Sequence, residues 1–262
     1  MISVIIPALN EEATILDCLE SLAAQSISQK TYEIIVVDGG SSDRTCEYAA
    51  AVADRVIFQN RPGIGGARGD GAEAANGDIL VFTDADTRHP HAWLETIQEV
   101  LTAGGYDVCT GPVRFYNWTL CSCIVQGWRQ YYLLLHPFGF YWLIGSNFAV
   151  KKDVYIRVSG HRDISILEDY DFSLRIFNAH ARCIYDRRVA VLTSARRMKG
   201  ILGYAELYLA GYYHYHITGR AKDLLNYPHP RTIALQRPAL SGDLKLAREK
   251  ISNAWGKITG YG

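Results

Sequence analysis

The sequence has no surplus of charge: 27 lysine and arginine residues balance 27 aspartate and glutamate residues. This excludes a chain that grips nucleic acid through bulk positive charge. Paired cysteines at metal spacing are missing as well. Cys18, Cys46, Cys109, Cys121, Cys123 and Cys183 are scattered, and Cys121-Ser122-Cys123 is too tight for a zinc knuckle, so a reduced, cytoplasmic setting is expected. Met1 runs directly into Ile2–Pro7, which reads as a strand rather than an export signal, and Asn117-Trp118-Thr119 is then an accidental glycosylation sequon. No long apolar run is uninterrupted. Tyr131 to Val150 is nearly uncharged and approaches membrane-span length, but His136-Pro137, Gly139 and Gly145-Ser146-Asn147 break it, so a buried or interfacial segment is expected. No internal repeat is visible.

What is present suits a globular enzyme-sized chain. With 262 residues, 48% of them hydrophobic and 21% charged, it can bury a large core and is not a disordered segment. The first hundred residues alternate strand and helix. Ser3 to Pro7 reads as a strand, and Asn10 as a cap for a helix beginning at Glu11-Glu12 with Ile15, Leu16, Leu19 and Leu22 on one face. Strands follow at Tyr32 to Asp38 and Arg55 to Gln59, with a helix from Arg44 to Ala53 between them. Pro62-Gly63-Ile64-Gly65-Gly66 reads as a flexible turn before a helix from Ala67 to Ala75. A strand ending near Asp84 and a helix from Pro90 to Ala103 come next. This alternation predicts an α/β fold with a mostly parallel sheet covered on both faces. Beyond Tyr106 the pattern loosens: a strand from Val108 to Phe115, a helix within 118–143, a strand from Gly145 to Val150, a helix from Leu167 to Asn178 and an aromatic helical stretch at 199–217 are expected.

The chemistry concentrates at the end of a buried strand. Ile79-Leu80-Val81-Phe82 leads into Thr83-Asp84-Ala85-Asp86, two carboxylates one residue apart. On extended backbone they share a side and repel unless a cation lies between them; hard oxygen ligands suit Mg²⁺ or Mn²⁺. Pro7 to Glu11, Asp38, Arg68 and Asp84-Ala85-Asp86 all fall at the carboxyl edge of the expected sheet, where ligands bind in open α/β folds. Together they suit a nucleoside diphosphate whose phosphates a divalent ion neutralises. Gly63-Ile64-Gly65-Gly66 is not a dinucleotide fingerprint, because Arg68 stands where a third glycine belongs and the first strand does not precede it.

The ordered motifs Val4–Glu11, Val37–Thr45, Gly65–Arg68, Asp84–Asp86, Gly145–Phe148 and Glu168-Asp169 make the chain similar to the inverting family 2 glycosyltransferases of the GT-A fold, over roughly residues 2–197. The resemblance implies a GT-A mixed sheet flanked by helices, with a nucleotide part at 1–105, an acceptor part at 106–197 and a C-terminal helical extension at 198–262. It implies that Pro7, Ala8 and Glu11 line the nucleoside pocket, that Asp38 meets the base, and that Arg68 lies near base or phosphates. Asp84 would hold ribose or metal-bound water and Asp86 the ion, with Ala85 between them in the donor site. Gly145, Ser146 and Asn147 would belong to the acceptor site, Asp169 would be the general base and Glu168 its neighbour. The departure is Gly69-Asp70, where relatives often place Asn.

Adjacent Glu168 and Asp169 are expected to raise one another's pKa, which suits a proton acceptor. Arg196 and Arg197, in a basic turn, are candidates for the leaving diphosphate. The donor implied is a nucleoside-diphosphate sugar, UDP by default and GDP as the alternative, and a polyprenyl phosphate is an acceptor known in the family. The aromatic stretches 128–143 and 201–217, flanked by Arg129, Lys199, Arg220 and Lys222, suit a surface docking peripherally on the cytoplasmic face of a membrane, a homo-oligomer interface or a sugar-acceptor wall. A nucleotidyltransferase is the rival enzyme, but Ala8-Leu9-Asn10 lacks its glycine-rich loop. A non-catalytic carbohydrate- or nucleotide-sugar-binding protein is the rival outside enzymes, and it predicts loss of an acid that this chain retains.

Overall fold

Strands β1 (Ile2–Ala8) and β2 (Tyr32–Asp38) are buried almost end to end. Successive side chains of a strand point to opposite faces, so each of them supplies two cores. Val4, Ile6, Ile34 and Val36 pack on one side of the sheet, and Ile5, Ile35 and Val37 on the other. The computed structural model describes residues 1–196.

In chain order the further strands are β3 (Arg55–Phe58), β4 (Ile79–Phe82), β5 (Thr87–Arg88), β6 (Val108–Thr110), β7 (Val113–Phe115), β8 (Phe148–Lys151), β9 (Cys183–Tyr185) and β10 (Val191–Thr193). The main sheet has seven strands in the order β3-β2-β1-β4-β8-β6-β9, and β5-β10-β7 form a small second sheet. From β3 to β4 neighbours are parallel, while β8 runs antiparallel to both β4 and β6. The sheet is therefore mixed, its first half parallel as the strand–helix alternation implies.

Helices α1 (Ile15–Ala23), α2 (Thr45–Val52) and α4 (Trp93–Thr102) cover one face through Ile15, Cys18, Leu19 and Leu22, Ala49, and Trp93, Leu94 and Ile97. On the other face lie α3 (Gly63–Ala74), α6 (Lys152–Arg157) and α7 (Glu168–Asn178), which contribute Ala67 and Ala72, Val154 and Tyr155, and Phe172 and Ile176. The i, i+3, i+4, i+7 spacing of the α1 set is what lets one helix face seal the sheet. Helix α5 (Leu120–Tyr132) packs Cys121 and Val125 against Phe115 and Ala195.

Several local expectations are corrected. The first helix begins at Ile15, not at Glu11. Asn10 is not its cap: it sits at φ 55° and its side-chain Oδ1 accepts from the Ser42 amide (2.9 Å), joining two loops instead. The stretch from Val108 to Phe115 is two short strands in different sheets. The region around 131–150 contains the end of α5, a short 3-10 turn at Leu133–Phe138 and then β8; among the described residues no helix is long and apolar enough to cross a membrane. The expected helix at 199–217 and the extension at 198–262 lie outside the described residues.

The glycine run also differs from expectation. Gly63 to Gly66 form the first turn of α3 rather than a flexible loop. Their lack of side chains permits close approach: a Cβ on Gly65 would stand 2.1 Å from the Arg162 carbonyl oxygen, beside the hydrogen bond from the Gly65 amide to the Ile164 carbonyl (2.9 Å). Gly65→Ala is expected to destabilise the fold by about 1–3 kcal/mol, since backbone must move to relieve the overlap. Thermal denaturation checks this, and an unchanged melting temperature would refute the close packing.

Candidate active site

The carboxyl ends of β1, β2 and β4 open onto one rim. Past β1, Glu11 is only 2% exposed although it is charged. Its amide donates to the Thr45 hydroxyl (2.7 Å), the Thr14 hydroxyl donates to its carboxylate (2.9 Å), and the Arg196 guanidinium ion-pairs with the same carboxylate. Ala8 lies opposite Asp38 in the parallel register. Asp38, buried at the end of β2, accepts from the amides of Gly40 (3.0 Å) and Ser41 (3.1 Å), which shapes the turn into α2. Pro7 lies in β1 just before Ala8, partly exposed.

Beyond β4 the chain does not stay extended. The Thr87 amide donates to the Asp84 carbonyl (3.1 Å), so Asp84 and Asp86 sit in a turn and their carboxylates find different cations. Asp84 accepts from Arg68 Nη2 (2.9 Å). Asp86 accepts from the Thr193 hydroxyl (3.2 Å) and faces Arg196 Nε at 3.5 Å. The chain therefore turns here, where extended backbone was expected. Ala85, between them, is buried in the core. Among the described residues no group of three or more His, Cys, Asp and Glu side chains could enclose a metal. The donor set nonetheless fits Mg²⁺ or Mn²⁺ of the kind held by one or two carboxylates and completed by water and substrate phosphates. Glu11 and Asp86 already share one cation, Arg196, so positive charge is stabilised at this spot.

Arg68 is the hub. It projects from α3, is 1% exposed, and joins Asp84 through Nη2 and Glu168, at the start of α7, through Nη1. Gly145 makes room for it, because a Cβ there would lie 2.2 Å from Arg68 Nη2. Next to this pair, Asp169 accepts from the Trp142 indole N–H (3.0 Å) and the Tyr170 amide (2.7 Å). No ion pair holds Asp169 among the described residues, whereas Asp171, also in the first turn of α7, is occupied by Arg162 and Arg175. Burial pushes Glu168 up to about 7 against the pull of Arg68, and the Asp169 charge adds to the rise. Burial likewise raises Asp169, opposed by Arg68 and by the Trp142 hydrogen bond. The pair therefore holds a proton more tightly than ordinary carboxylates, and among the described residues Asp169 is the member without an ion pair.

The structure thus brings together Glu11, Asp86 and Arg196, and separately Arg68, Asp84, Glu168 and Asp169. Asn147 stands apart: it is 1% exposed, and its amide donates to the carbonyls of Pro112 (3.2 Å) and Val189 (2.8 Å) while accepting from the Trp93 indole (3.1 Å). The Ser146 carbonyl accepts from the buried Thr83 hydroxyl (3.0 Å). Gly145 to Asn147 hence support the site from beneath. Arg197 lies outside the described residues. Two contributors were not singled out by sequence: Trp142, visible there only as one of many aromatics, and His89. His89 bridges the hydroxyls of Ser21 (2.9 Å) and Thr83 (2.8 Å), and burial pushes its pKa down to about 3, so it is a neutral strut.

The glycosyltransferase AglE of Haloferax volcanii is 35% identical over 120 residues, covering 44% of this chain and 40% of that protein. Glucosyl-3-phosphoglycerate synthase of Mycobacterium tuberculosis is 34% identical over 152 residues, covering 52% of this chain and 46% of the relative. Its crystal structure with Mn²⁺, UDP-glucose and phosphoglyceric acid superposes with a TM-score of 0.58 at 26% identity, over 75% of this chain and 72% of that one. Undecaprenyl-phosphate 4-deoxy-4-formamido-L-arabinose transferase of Pseudomonas aeruginosa is 34% identical over 122 residues, 44% of this chain and 35% of the relative. The chain spans less than half the length of these curated relatives. The mixed sheet with helices on both faces is the GT-A architecture. Residues 3–153, which carry β1 through β8 and the Asp84–Asp86 turn, match the sequence profile of Glycosyl transferase family 2, and the chain belongs to that family.

Proposed function

We propose that this chain is an inverting glycosyltransferase that moves a sugar from a nucleoside diphosphate donor to an acceptor hydroxyl or phosphate, with Asp169 as general base. The observation that carries the reading is the ion-pair chain Asp84–Arg68–Glu168, which runs from the donor-side turn to the residue beside Asp169. An inverting transfer needs a base on the acceptor side and charge stabilisation on the departing diphosphate. Asp169, with its raised proton affinity and no ion pair among the described residues, suits the first task. Pro7, Ala8, Glu11, Asp38 and Ala85 line the donor side in this reading, Arg68 orients the Asp84 carboxylate, and Arg196 with Arg197 approaches the phosphates. Asp86 and Asp84 would hold Mn²⁺ or Mg²⁺, which when bound offsets negative charge on the leaving diphosphate.

A relative crystallised with UDP-glucose and Mn²⁺ supports a UDP-sugar as donor, and an undecaprenyl-phosphate transferase among the relatives supports a lipid-linked acceptor met at a membrane surface. The division into a transferase domain at 1–197 and an extension at 198–262 belongs to the same reading. A titration with UDP, with and without Mn²⁺, tests it. Ligand binding to the native state stabilises it by roughly 2.7 kcal/mol at a ligand concentration one hundred times Kd, so a metal-dependent rise of several degrees in melting temperature is expected. No shift with UDP or GDP in the presence of either metal would sink the donor assignment.

A further inference from the structure

Beside Asp169 lies a cleft whose chemistry the donor site does not use. It is walled by Gln126 and Arg129 from α5, by Tyr132, His136 and Trp142, and by Tyr185 at the end of β9. Gln126 and Arg129 are three apart on one helix and so share a face. Both bring a polar atom out of solvent with no hydrogen-bond partner: Gln126 Oε1 and Arg129 Nη1. The Arg129 guanidinium lies over the Phe115 ring, 4.9 Å from its centroid, which supports one side of it and supplies no acceptor. Among the described residues no carboxylate lines the cleft. His136 is held below the usual histidine range by burial, which leaves Arg129 as the cation of this wall among the described residues. A desolvated guanidinium hydrogen without an acceptor is costly, and an unpaired buried amide oxygen adds to the cost, so both atoms gain from an incoming polar group.

The position of the cleft says what that group belongs to. Trp142 walls it with its ring, 4.3 Å from the Tyr132 ring, and donates its indole N–H to Asp169 (3.0 Å). A molecule seated in the cleft is thus separated from the Asp169 carboxylate by a single side chain. Arg129 is not in ion-pair contact with Asp169, although its charge favours the ionised carboxylate.

We infer that this cleft is an acceptor subsite that selects an anionic molecule, a phosphate or carboxylate on Arg129 Nη1 with a hydroxyl donated to Gln126 Oε1. The inference rests on the glycosyltransferase reading and adds the charge of the acceptor to it. Seating the anion on Arg129 holds the rest of the acceptor against Trp142, whose indole N–H meets Asp169. Charge-assisted, forked hydrogen bonding is what an arginine offers to either oxyanion.

Binding of small probes to the full chain tests this, followed by isothermal calorimetry with UDP and Mn²⁺ present. Glycerol 3-phosphate and lactate are the phosphate and carboxylate probes, and glycerol is the neutral control. Tighter binding of one or both anions than of glycerol is expected, and the preferred anion identifies the group. Arg129→Gln should weaken that binding about tenfold or more, and Arg129→Lys should recover part of it. Both variants should bind UDP like the wild type, which separates the two readings and shows that the variants are folded. Anion binding that is equal in Arg129→Gln and wild type, or no stronger than that of glycerol, overturns the subsite. Failure of UDP to bind any of the three proteins, with the anion response intact, removes the transferase reading and with it the acceptor assignment.

Discussion

Asp169→Asn is expected to lower kcat by about 10³-fold while leaving the affinity for UDP unchanged. The asparagine keeps the shape of the side chain, and its carbonyl oxygen can still accept the Trp142 indole N–H; its NH2 group cannot accept from the Tyr170 amide, so one local hydrogen bond is lost together with proton uptake. The wild-type rate should also rise with pH over a window above the ordinary carboxylate range. Glu168 and Asp169 are both raised by burial, Glu168 to about 7, and the base must be ionised to act. The variant should lose that rising limb. Steady-state kinetics with a UDP-sugar across this window measures both effects, and turnover close to wild type would remove Asp169 from its assigned role.

Arg68→Met is expected to destabilise the protein by about 3–5 kcal/mol, because it strips one cation from two carboxylates in a buried setting. For a chain of this size that corresponds to a fall in melting temperature of roughly 10 °C. Methionine fills most of the volume, so the loss reports charge rather than a cavity. The dependence on pH has a definite sign. Without Arg68 the Glu168 pKa moves further above its unfolded value, so the folded state binds the extra proton. Stability from that group is present while it is protonated and is lost as pH rises through the folded pKa. The destabilisation should therefore be larger at pH 8 than at pH 5, as chemical denaturation at the two values would show. A pH-independent loss would mean that Arg68 matters only for packing. Loss of UDP affinity is expected in the same variant, because Asp84 is left untethered on the donor side.

Much of this architecture is legible in one dimension. The apolar runs of Ile2–Ala8 and Tyr32–Asp38 serve two cores at once, and of the expected helix stripe Ile15, Leu19 and Leu22 face the sheet, with Cys18 buried beside them in place of Leu16. Both are short-range consequences of backbone geometry, so local sequence is enough. The errors arose where tertiary contact overrides local propensity. Gly63 to Gly66 look like a turn by composition, yet they open α3 because that helix must approach the backbone of Arg61, Arg162 and Ile164. Asn10 has a cap residue's chemistry, but its side-chain Oδ1 is claimed by the Ser42 amide from a neighbouring loop.

The candidate site divides the same way. Sequence alone placed Glu11, Asp38, Arg68, Asp84 and Asp86 near one edge, because each follows a strand end or opens the next helix, and parallel strands bring such ends together. What each side chain does there was decided only by the tertiary structure. Arg68 meets Glu168 across 100 residues, Arg196 faces Asp86 across 110, and Trp142 reaches Asp169 across 27. Asn147, in sequence a polar residue of a motif, turns inward to hold Pro112, Val189 and Trp93. Periodicity encodes which face a side chain takes. Hydrogen-bond and ion-pair partners depend on how crossovers stack distant elements, and desolvation, which raises the proton affinity of Glu168 and Asp169, exists only once those elements have closed over them.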